Sequence, residues 1–375
     1  MSFKYDPSDR QRVGFHVVIR LLQPLSHISE AVGNQTNLRT TKLLDLEGEQ
    51  TEVFALSGNS LRNRILRRCG LDDFLEQVGV QVSPILHHTL FCGGAIDGGT
   101  GSDLELDRRI RQLLPGLSLL GTAKPKGVFA SNNAQMVPGR ICVGDAVLVC
   151  AESAEYVYRQ FPPVLPDKAI APLSRLMQAR EHAYRQRANQ WLGLDSAPIN
   201  TELQDDDLRV LEEVLPRATE WLTWQHKIRQ DSLKDPNLTR HLSDVPLLDG
   251  TTDTKAAKSQ QMLMGNWFVQ AGATLYSYWS ADITRVEEGF IAAALAKFST
   301  APYLGGQIGA GCGLCTMDIW YQSEKDRGAF MQISPSAQMF SDRAQESYTK
   351  YRDYLQEYRQ FLADAKSDIR KMLHE

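Results

Sequence analysis

The sequence lacks an excess of positive charge. Its 375 residues carry 41 Lys and Arg against 45 Asp and Glu, which gives a formal net charge of -4. A histone-like protein that binds nucleic acid over its whole surface is therefore excluded. Any site for a polyanion has to be a local patch.

Long apolar runs and signal-peptide features are also missing. No stretch approaches the roughly 20 apolar residues that cross a bilayer, and the first residues, MSFKYDPSDRQRVG, are polar. The chain has six cysteines, of which Cys312 and Cys315 form a C-x-x-C without a second pair at zinc spacing. We therefore expect a cytoplasmic protein with reduced thiols and with no membrane partner, metal or cofactor.

Glycine is concentrated in one stretch, APYLGGQIGAGCGLCTMDIWY at 301–321, with five glycines within nine residues. A dinucleotide fingerprint needs a strand, then G-x-G-x-x-G, then a helix. Here a helical pattern precedes the glycines, a strand pattern follows, and Leu314 stands at the third glycine position. The G-K-[ST] of a P-loop is absent. Two interpretations remain: a tight packing turn, or bare backbone that a nucleic acid or a neighbouring subunit approaches closely.

Strand and helix patterns alternate along the chain, which predicts an α+β fold. RVGFHVVIRLLQ places Val13 and Phe15 on one face of a strand. SLRNRILRRCG reads as a helix that Ser57 or Asn59 caps and that Gly70 ends.

The second half of the chain continues this alternation. A helical pattern covers about 165–233, GATLYSYWSADI and LCTMDIWYQ alternate as strands, and TRVEEGFIAAALAKF is helical between them. The last segment is a charged amphipathic helix whose apolar stripe contains Tyr351, Leu355, Tyr358 and Leu362.

Three segments carry candidate contacts to a polyanion. The SLRNRILRR helix holds four arginines and no acid, so its amino terminus and its guanidinium groups suit phosphates. The polar loop SHISEAVGNQTNLRTTK supplies amides and hydroxyls that reach phosphate and 2′-OH groups. A solvated helix face and an ordinary surface loop are the alternatives. The candidate residues for such contacts are His27, Asn34, Gln35, Asn37, Arg39, Lys42, Asn59, Arg62, Arg64, Arg67, Gly306, Gln307, Gly309 and Gly311.

Four segments, in this order, resemble the CRISPR-associated RAMP proteins. They are QPLSHISEAVGNQTNLRTTKLLDLEGEQTEVFALSGNSLRNRILR, LLGTAKPKGVFASNNAQMVPGRICVGDAVL, MLMGNWFVQAGATLYSYWSADI and YLGGQIGAGCGL. Each is weak alone, and together they cover roughly half the chain. The length and the central insertion look like the Cas-seven family, the backbone subunit of class 1 effector complexes, most like type IV or type I-D.

The resemblance implies an RNA-recognition-motif-like, ferredoxin-like palm with a helical insertion and a protruding thumb hairpin. The palm would take residues 1–150 and 251–335, the helical insertion 151–235, the thumb 236–260 and a C-terminal helix 336–375. The candidate thumb residues are Arg240, His241, Val245, Leu247 and Leu248.

The implied function is a crRNA-binding subunit that forms a helical filament along the guide. Its expected partners are crRNA, a target DNA or RNA paired to the guide, other copies of itself and other Cas subunits. Such binding has to ignore the guide sequence, and phosphate, sugar and stacking contacts satisfy that requirement.

Catalysis is not expected. Some relatives cut target RNA with an Asp in the first loop, whereas Glu30 is the only acid between residues 24 and 44 here. The alternative is a guide-processing endoribonuclease of the RAMP type that uses His27, because a loop histidine suits general acid–base cleavage through the 2′-OH. A third interpretation is an unrelated α+β domain with a glycine turn.

Overall fold

A nine-stranded antiparallel sheet forms the centre of the protein. The structure, a computed structural model, describes residues 9–32, 35–45, 49–79, 81–82, 87, 90–91, 113–124, 135–191, 205–229 and 262–364. The described strands are β1 Gln11–Leu21, β2 Ile28–Val32, β3 Gln35–Leu38, β4 Thr40–Leu44, β5 Gln50–Leu56, β6 Thr122–Lys124, β7 Gln135–Val137, β8 Ile141–Val143, β9 Ala146–Leu148, β10 Leu222–Arg229, β11 Met262–Val269, β12 Thr274–Ile283, β13 Cys315–Ser323, β14 Arg327–Ser334 and β15 Ala337–Phe340.

The strands form three sheets. The large sheet has the order β15-β14-β13-β1-β12-β9-β5-β4, with β8 also paired to β12. A four-stranded sheet has the order β10-β11-β3-β2, and β6 pairs with β7. The predicted α+β class is confirmed.

Helices surround the large sheet. The described ones are α1 Gly58–Leu61, which continues through a π-helical stretch, Arg62–Cys69, into α2 Gly70–Val78; then α3 Pro115–Leu120, α4 Ala154–Gln160, α5 Asp167–Trp191, α6 Asp205–Val214, α7 Arg285–Phe298 and α8 Asp342–Asp364. No helix in the described part of the chain has the length and apolarity that crossing a bilayer requires.

The central strand β1 is buried on both faces, so each face supports its own core. Phe15 and Trp279 pack with Phe290 of α7 and Tyr351 of α8 in the larger core. Val18 and Tyr276 lie in the smaller core with residues of α4, α5 and α6. Helices α4, α5 and α6 therefore cover the sheet face opposite α7 and α8.

The helix that begins after Ser57 is longer than predicted. Ser57 caps it as expected, since the Ser57 side chain accepts from the Ser60 amide at 3.2 Å. Gly70 does not end it; the helix runs on to Val78, and Gly79 follows in the left-handed conformation with φ 71°. A Cβ on Gly70 would lie 2.5 Å from the Phe290 ring. This glycine therefore serves close helix packing and does not act as a stop signal.

Two further predictions about element type are corrected. The helical pattern assigned to about 165–233 ends at Val214, and Leu222–Arg229 is a strand that pairs with β11. Residues 337–340 form β15 before α8 begins at Asp342. The stripe on α8 is confirmed for Tyr351, Leu355 and Tyr358, which are buried; the Leu362 side chain lies outside the described residues.

Candidate nucleic-acid interface

The glycine-rich loop between α7 and β13 is bonded to the segment that follows β1. The Gly306 amide donates to the Ser26 carbonyl at 2.7 Å, and the Gly313 amide donates to the Pro24 carbonyl at 2.8 Å. Leu25 and Val269 exchange both backbone hydrogen bonds at 2.8 Å. Residues 24–26 therefore join the glycine loop to β11, and the first loop and the glycine loop meet.

The two ends of the glycine loop are packing positions. Gly305 and Gly313 have φ values of 71° and 86°, a region that side chains rarely adopt. A Cβ on Gly305 would clash with the Ser26 carbonyl oxygen, and one on Gly313 would clash with the Leu304 carbonyl oxygen. The interpretation of a tight turn is correct for these two glycines.

The middle of the loop differs from its ends. A Cβ on Gly309 or on Gly311 would meet nothing within 4 Å, and both residues are exposed. Gly311 has φ 81°, so its backbone favours glycine, whereas Gly309 is not among the residues with positive φ. Folding thus supplies no reason for glycine at 309, and a bare backbone at this position suits the close approach of a ligand.

Asp145, just before β9, connects the first loop to the start of the arginine-bearing helix. Its Oδ1 accepts from the Gly58 amide at 2.8 Å, and its Oδ2 accepts from Arg39 Nη2 at 3.0 Å. The Arg39 amide donates to the His27 carbonyl at 2.8 Å. His27, Arg39 and the amino terminus of α1 are therefore brought together by one carboxylate.

His27 is held mainly in its neutral form. Burial lowers the pKa of the His27 imidazole, and the Arg39 cation lowers it further, while Asp145 opposes the shift. A neutral imidazole can accept a proton or a hydrogen bond but adds no charge to the surface.

The arginines of the helix differ in what they contact. Arg67 is only 7% exposed, and its guanidinium donates to the Leu90 carbonyl at 2.7 Å and to the Gly121 carbonyl at 2.9 Å. This placement contradicts a phosphate contact for Arg67, because its donors point into the molecule. Arg64 is half-buried, and its Nε donates to the Tyr303 carbonyl at 3.2 Å, at the start of the glycine loop.

Several donors along this surface lack an acceptor among the described residues. We call the four side chains concerned the donor band: Ser26, Arg39, Arg62 and Arg140, with Ser26 Oγ, Arg39 Nη1, Arg62 Nε and Arg140 Nη1 unpartnered. Arg62 reaches the Leu120 carbonyl through Nη2 and lies against Gly139, the neighbour of Arg140. The four atoms are buried, and an unsatisfied buried donor costs free energy.

The other predicted residues are spread over α1, β3 and β4 or lie outside the described residues. Asn59 is exposed in α1, and Lys42 lies on the edge strand β4 opposite Glu52. Gln35 and Asn37 are exposed on β3 of the smaller sheet. Asn34 and the candidate thumb residues Arg240, His241, Val245, Leu247 and Leu248 lie outside the described residues.

Three residues of this surface were not predicted: Ser26, Arg140 and Asp145. Asp145 follows a glycine in a loop, and nothing in its local pattern indicates that it binds an amide 87 residues away. Arg140 stands in the Gly-Arg pattern of the central segment, which was the one available signal.

The C-x-x-C is buried beside this loop. Cys312 is 9% exposed and Cys315 is fully buried, with its Sγ donating to the Pro302 carbonyl at 3.2 Å. Burial raises the pKa of the Cys315 thiol to about 12. Both residues therefore act as small core residues next to β13.

Comparison with known proteins adds a structural likeness. No protein-family model matches the sequence, and no curated protein matches it. Among solved structures, the chain is similar to a chain of a "Type IV-B CRISPR Complex", with 15% identity and a TM-score of 0.41, over 84% of this chain and 92% of that chain. At this TM-score the likeness assigns neither a fold nor a function.

Proposed function

We propose that this chain is a non-catalytic guide-RNA-binding backbone subunit of a class 1 CRISPR effector complex. It oligomerises along the crRNA and presents the guide for pairing with a target DNA or RNA. One observation carries the RNA-binding part: the glycine loop is open at Gly309, and its Gly306 amide bonds to the carbonyl of Ser26 in the donor band. Phosphates and 2′-hydroxyls can approach such an open backbone whatever the guide sequence.

The topology supports a palm of the RNA-recognition-motif type. The strands β13-β1-β12-β9 lie in this order, with α1 and α2 between β1 and β9 along the chain and α7 between β12 and β13. This is the connectivity of a β-α-β-β-α-β unit, the ferredoxin-like arrangement that RNA-recognition motifs also use. The helical insertion then packs on the opposite sheet face.

A thumb would extend from the hairpin of β10 and β11. These eight-residue strands pair along their whole length, from Leu222 opposite Val269 to Arg229 opposite Met262. The candidate thumb at 236–260 belongs to the sequence that joins them. We propose that it folds over the RNA and sets the boundary between neighbouring subunits.

RNA binding is tested by a salt titration. The full chain should bind single-stranded RNAs of unrelated sequence with equal affinity, and log K should fall linearly with log salt concentration, by about 0.7 for each phosphate contact. Electron micrographs on RNA of increasing length should show filaments whose length follows the RNA, because head-to-tail contacts that do not close form a helix. Failure to bind any single-stranded RNA at low salt would refute the proposal.

The alternative function is guide-processing by an endoribonuclease of the RAMP type. The observation that favours it is His27, whose lowered pKa keeps an imidazole base available beside Arg39. We expect labelled guide and target RNAs to stay intact with the purified protein, with or without Mg²⁺. Cleavage that persists in His226→Ala and disappears in His27→Ala would establish the ribonuclease instead.

A further inference from the structure

Strands β10 and β11 present two tryptophans at the surface. Trp224 lies directly opposite Trp267 in the strand register, and the ring centroids are 5.0 Å apart at an interplanar angle of 66°. Trp267 is 37% exposed, which places it among the exposed large apolar side chains of the described residues. Exposed His226 accepts from Trp224 Nε1 at 3.1 Å. We call Trp224 and Trp267 the tryptophan pair.

The backbone of β11 packs against one of the two indoles. A Cβ on Gly265 would clash with Cζ2 of Trp224, so the Trp224 ring lies against bare backbone of β11. The opposite face of this sheet is buried, with Thr36 Oγ1 donating to Asn266 Oδ1 at 2.8 Å. Trp267 therefore takes no part in the core of its own sheet, and an exposed aromatic surface remains at the other face.

We propose that Trp267, whose ring meets that of Trp224 in an edge-to-face arrangement, stacks with one base of a single-stranded nucleic acid. This proposal rests on the proposed function, since it adds a base contact to the same RNA path. Strand β11 continues from Trp267 to Val269, whose backbone bonds to Leu25, next to Ser26 of the donor band. The aromatic surface is thus continuous with the candidate interface through residues 24–26.

The negative charge on this face favours contact with an uncharged base over contact with a phosphate. By strand alternation, Gln35 and Asn37 share the face of Gly265 and Trp267, because Gln35 pairs with Gly265. Asn37 Nδ2 donates to Glu30 Oε1 at 3.1 Å, so a carboxylate lies nearby. A carboxylate repels phosphate, whereas an uncharged base can stack on an indole. Stacking tolerates every base, as a subunit that binds a variable guide requires.

The test compares two oligonucleotides on the full chain. Trp267→Ala should weaken binding of oligouridine by about 5- to 150-fold, the range expected for one stacked base. Trp267→Phe keeps an aromatic ring and should lose far less. An abasic oligonucleotide of equal length keeps the phosphates, so wild type and Trp267→Ala should bind it equally. The salt dependence of oligouridine binding should be the same in all three proteins, because no phosphate contact is lost.

Three outcomes would overturn the proposal, and a fluorescence measurement covers the case of an unfolded variant. If wild type binds oligouridine and Trp267→Ala binds it equally well, the stacking site is refuted and the proposed function stands. If wild type binds no single strand, both are refuted. If Trp267→Ala changes self-association without changing RNA affinity, a second copy occupies the pair. If circular dichroism shows that Trp267→Ala is unfolded, tryptophan fluorescence of wild type and of Trp267→Phe decides. Stacking of a base should quench the emission of wild type more than that of Trp267→Phe. If oligouridine changes the emission of the two folded proteins equally, stacking is rejected.

Discussion

The glycine loop and the arginine-bearing helix were both predicted to bind RNA, and they differ in how their side chains and backbone are used. In the loop, the packing glycines stand at the ends and the middle is open at Gly309. In the helix, Arg67 is turned into the protein and bonds two carbonyls, while Arg64 lies at the edge of the loop. A glycine leaves the backbone open because it has no side chain. An arginine side chain next to a core instead donates hydrogen bonds to carbonyls that have no other donor.

The largest effect is expected at the closed end of the loop. Gly313→Ala should lower the free energy of unfolding by roughly 2–6 kcal/mol, since it adds a clash with the Leu304 carbonyl to an unfavourable φ. Chemical denaturation measures this change. The matched control is Gly309→Ala, which should stay within about 0.5 kcal/mol of wild type. Equal destabilisation by the two substitutions would remove the distinction between the end and the middle of the loop.

A structural role for Arg67 predicts the next largest effect. Arg67→Met should cost roughly 2–5 kcal/mol of folding free energy, because the Leu90 and Gly121 carbonyls lose their donor. Arg68→Met, at an exposed position one residue further on, should change stability by less than about 0.5 kcal/mol. A fully stable Arg67→Met with a reduced salt dependence of RNA binding would restore Arg67 to the interface.

Gly309→Val should affect binding and leave folding intact. The side chain enters open space, so the melting temperature should match that of wild type. If RNA backbone approaches here, affinity should fall by roughly tenfold, in line with a clash of about 1.4 kcal/mol. Filter binding measures the change. Full affinity in the Val variant would mean that the open glycine serves no RNA contact.

A smaller effect is expected at Arg64. Arg64→Ala should reduce the slope of log K against log salt by about 0.7, the value for one phosphate contact on a single strand. Arg185→Ala is the matched control, since Arg185 is 70% exposed and pairs with Glu181 on α5, outside the donor band. Identical slopes for both variants would exclude Arg64 from the RNA path.

The smallest effect concerns pH. The folded state lowers the pKa of His27 below 6.5, so the stability linked to this group is present above pH 6.5 and is lost as pH falls through the folded pKa. His27→Gln should therefore flatten the acid side of the stability profile slightly. NMR titration of the imidazole should show its pKa rising when RNA is added, because phosphate favours the cation. A pKa that RNA leaves unchanged would separate His27 from the interface.

Local patterns predicted many of the elements but not the partners of their side chains. Alternation identified β1, β12 and β13, and the cap at Ser57 was recognisable because capping is a local interaction. The same rule also applies to LTWQHKIR, where Trp224 and His226 alternate with polar residues, and a long helical pattern before it obscured that signal.

The sequence predicted which loops carry the candidate site, but it did not predict the hydrogen bonds that join them. His27, Arg39 and Gly306 were singled out as polar or bare positions, and the fold joins their segments. Asp145 holds Arg39 and the Gly58 amide together across three separate segments, an arrangement that no spacing along the chain encodes. The burial of Arg67 depends likewise on carbonyls of Leu90 and Gly121, which only tertiary packing brings close.

The short segment at 24–26 forms backbone hydrogen bonds both to β11 and to the glycine loop, so these bonds can open together. The amides of Leu25, Val269, Gly306 and Gly313 all take part in its hydrogen bonds. If these bonds open together, the four amides should exchange their hydrogens with solvent at a common rate. A ligand that slows exchange at Gly306 would then also protect Val269, in a different sheet. Occupancy of the glycine loop would thus be sensed at the base of the β10–β11 hairpin without any movement of the average structure.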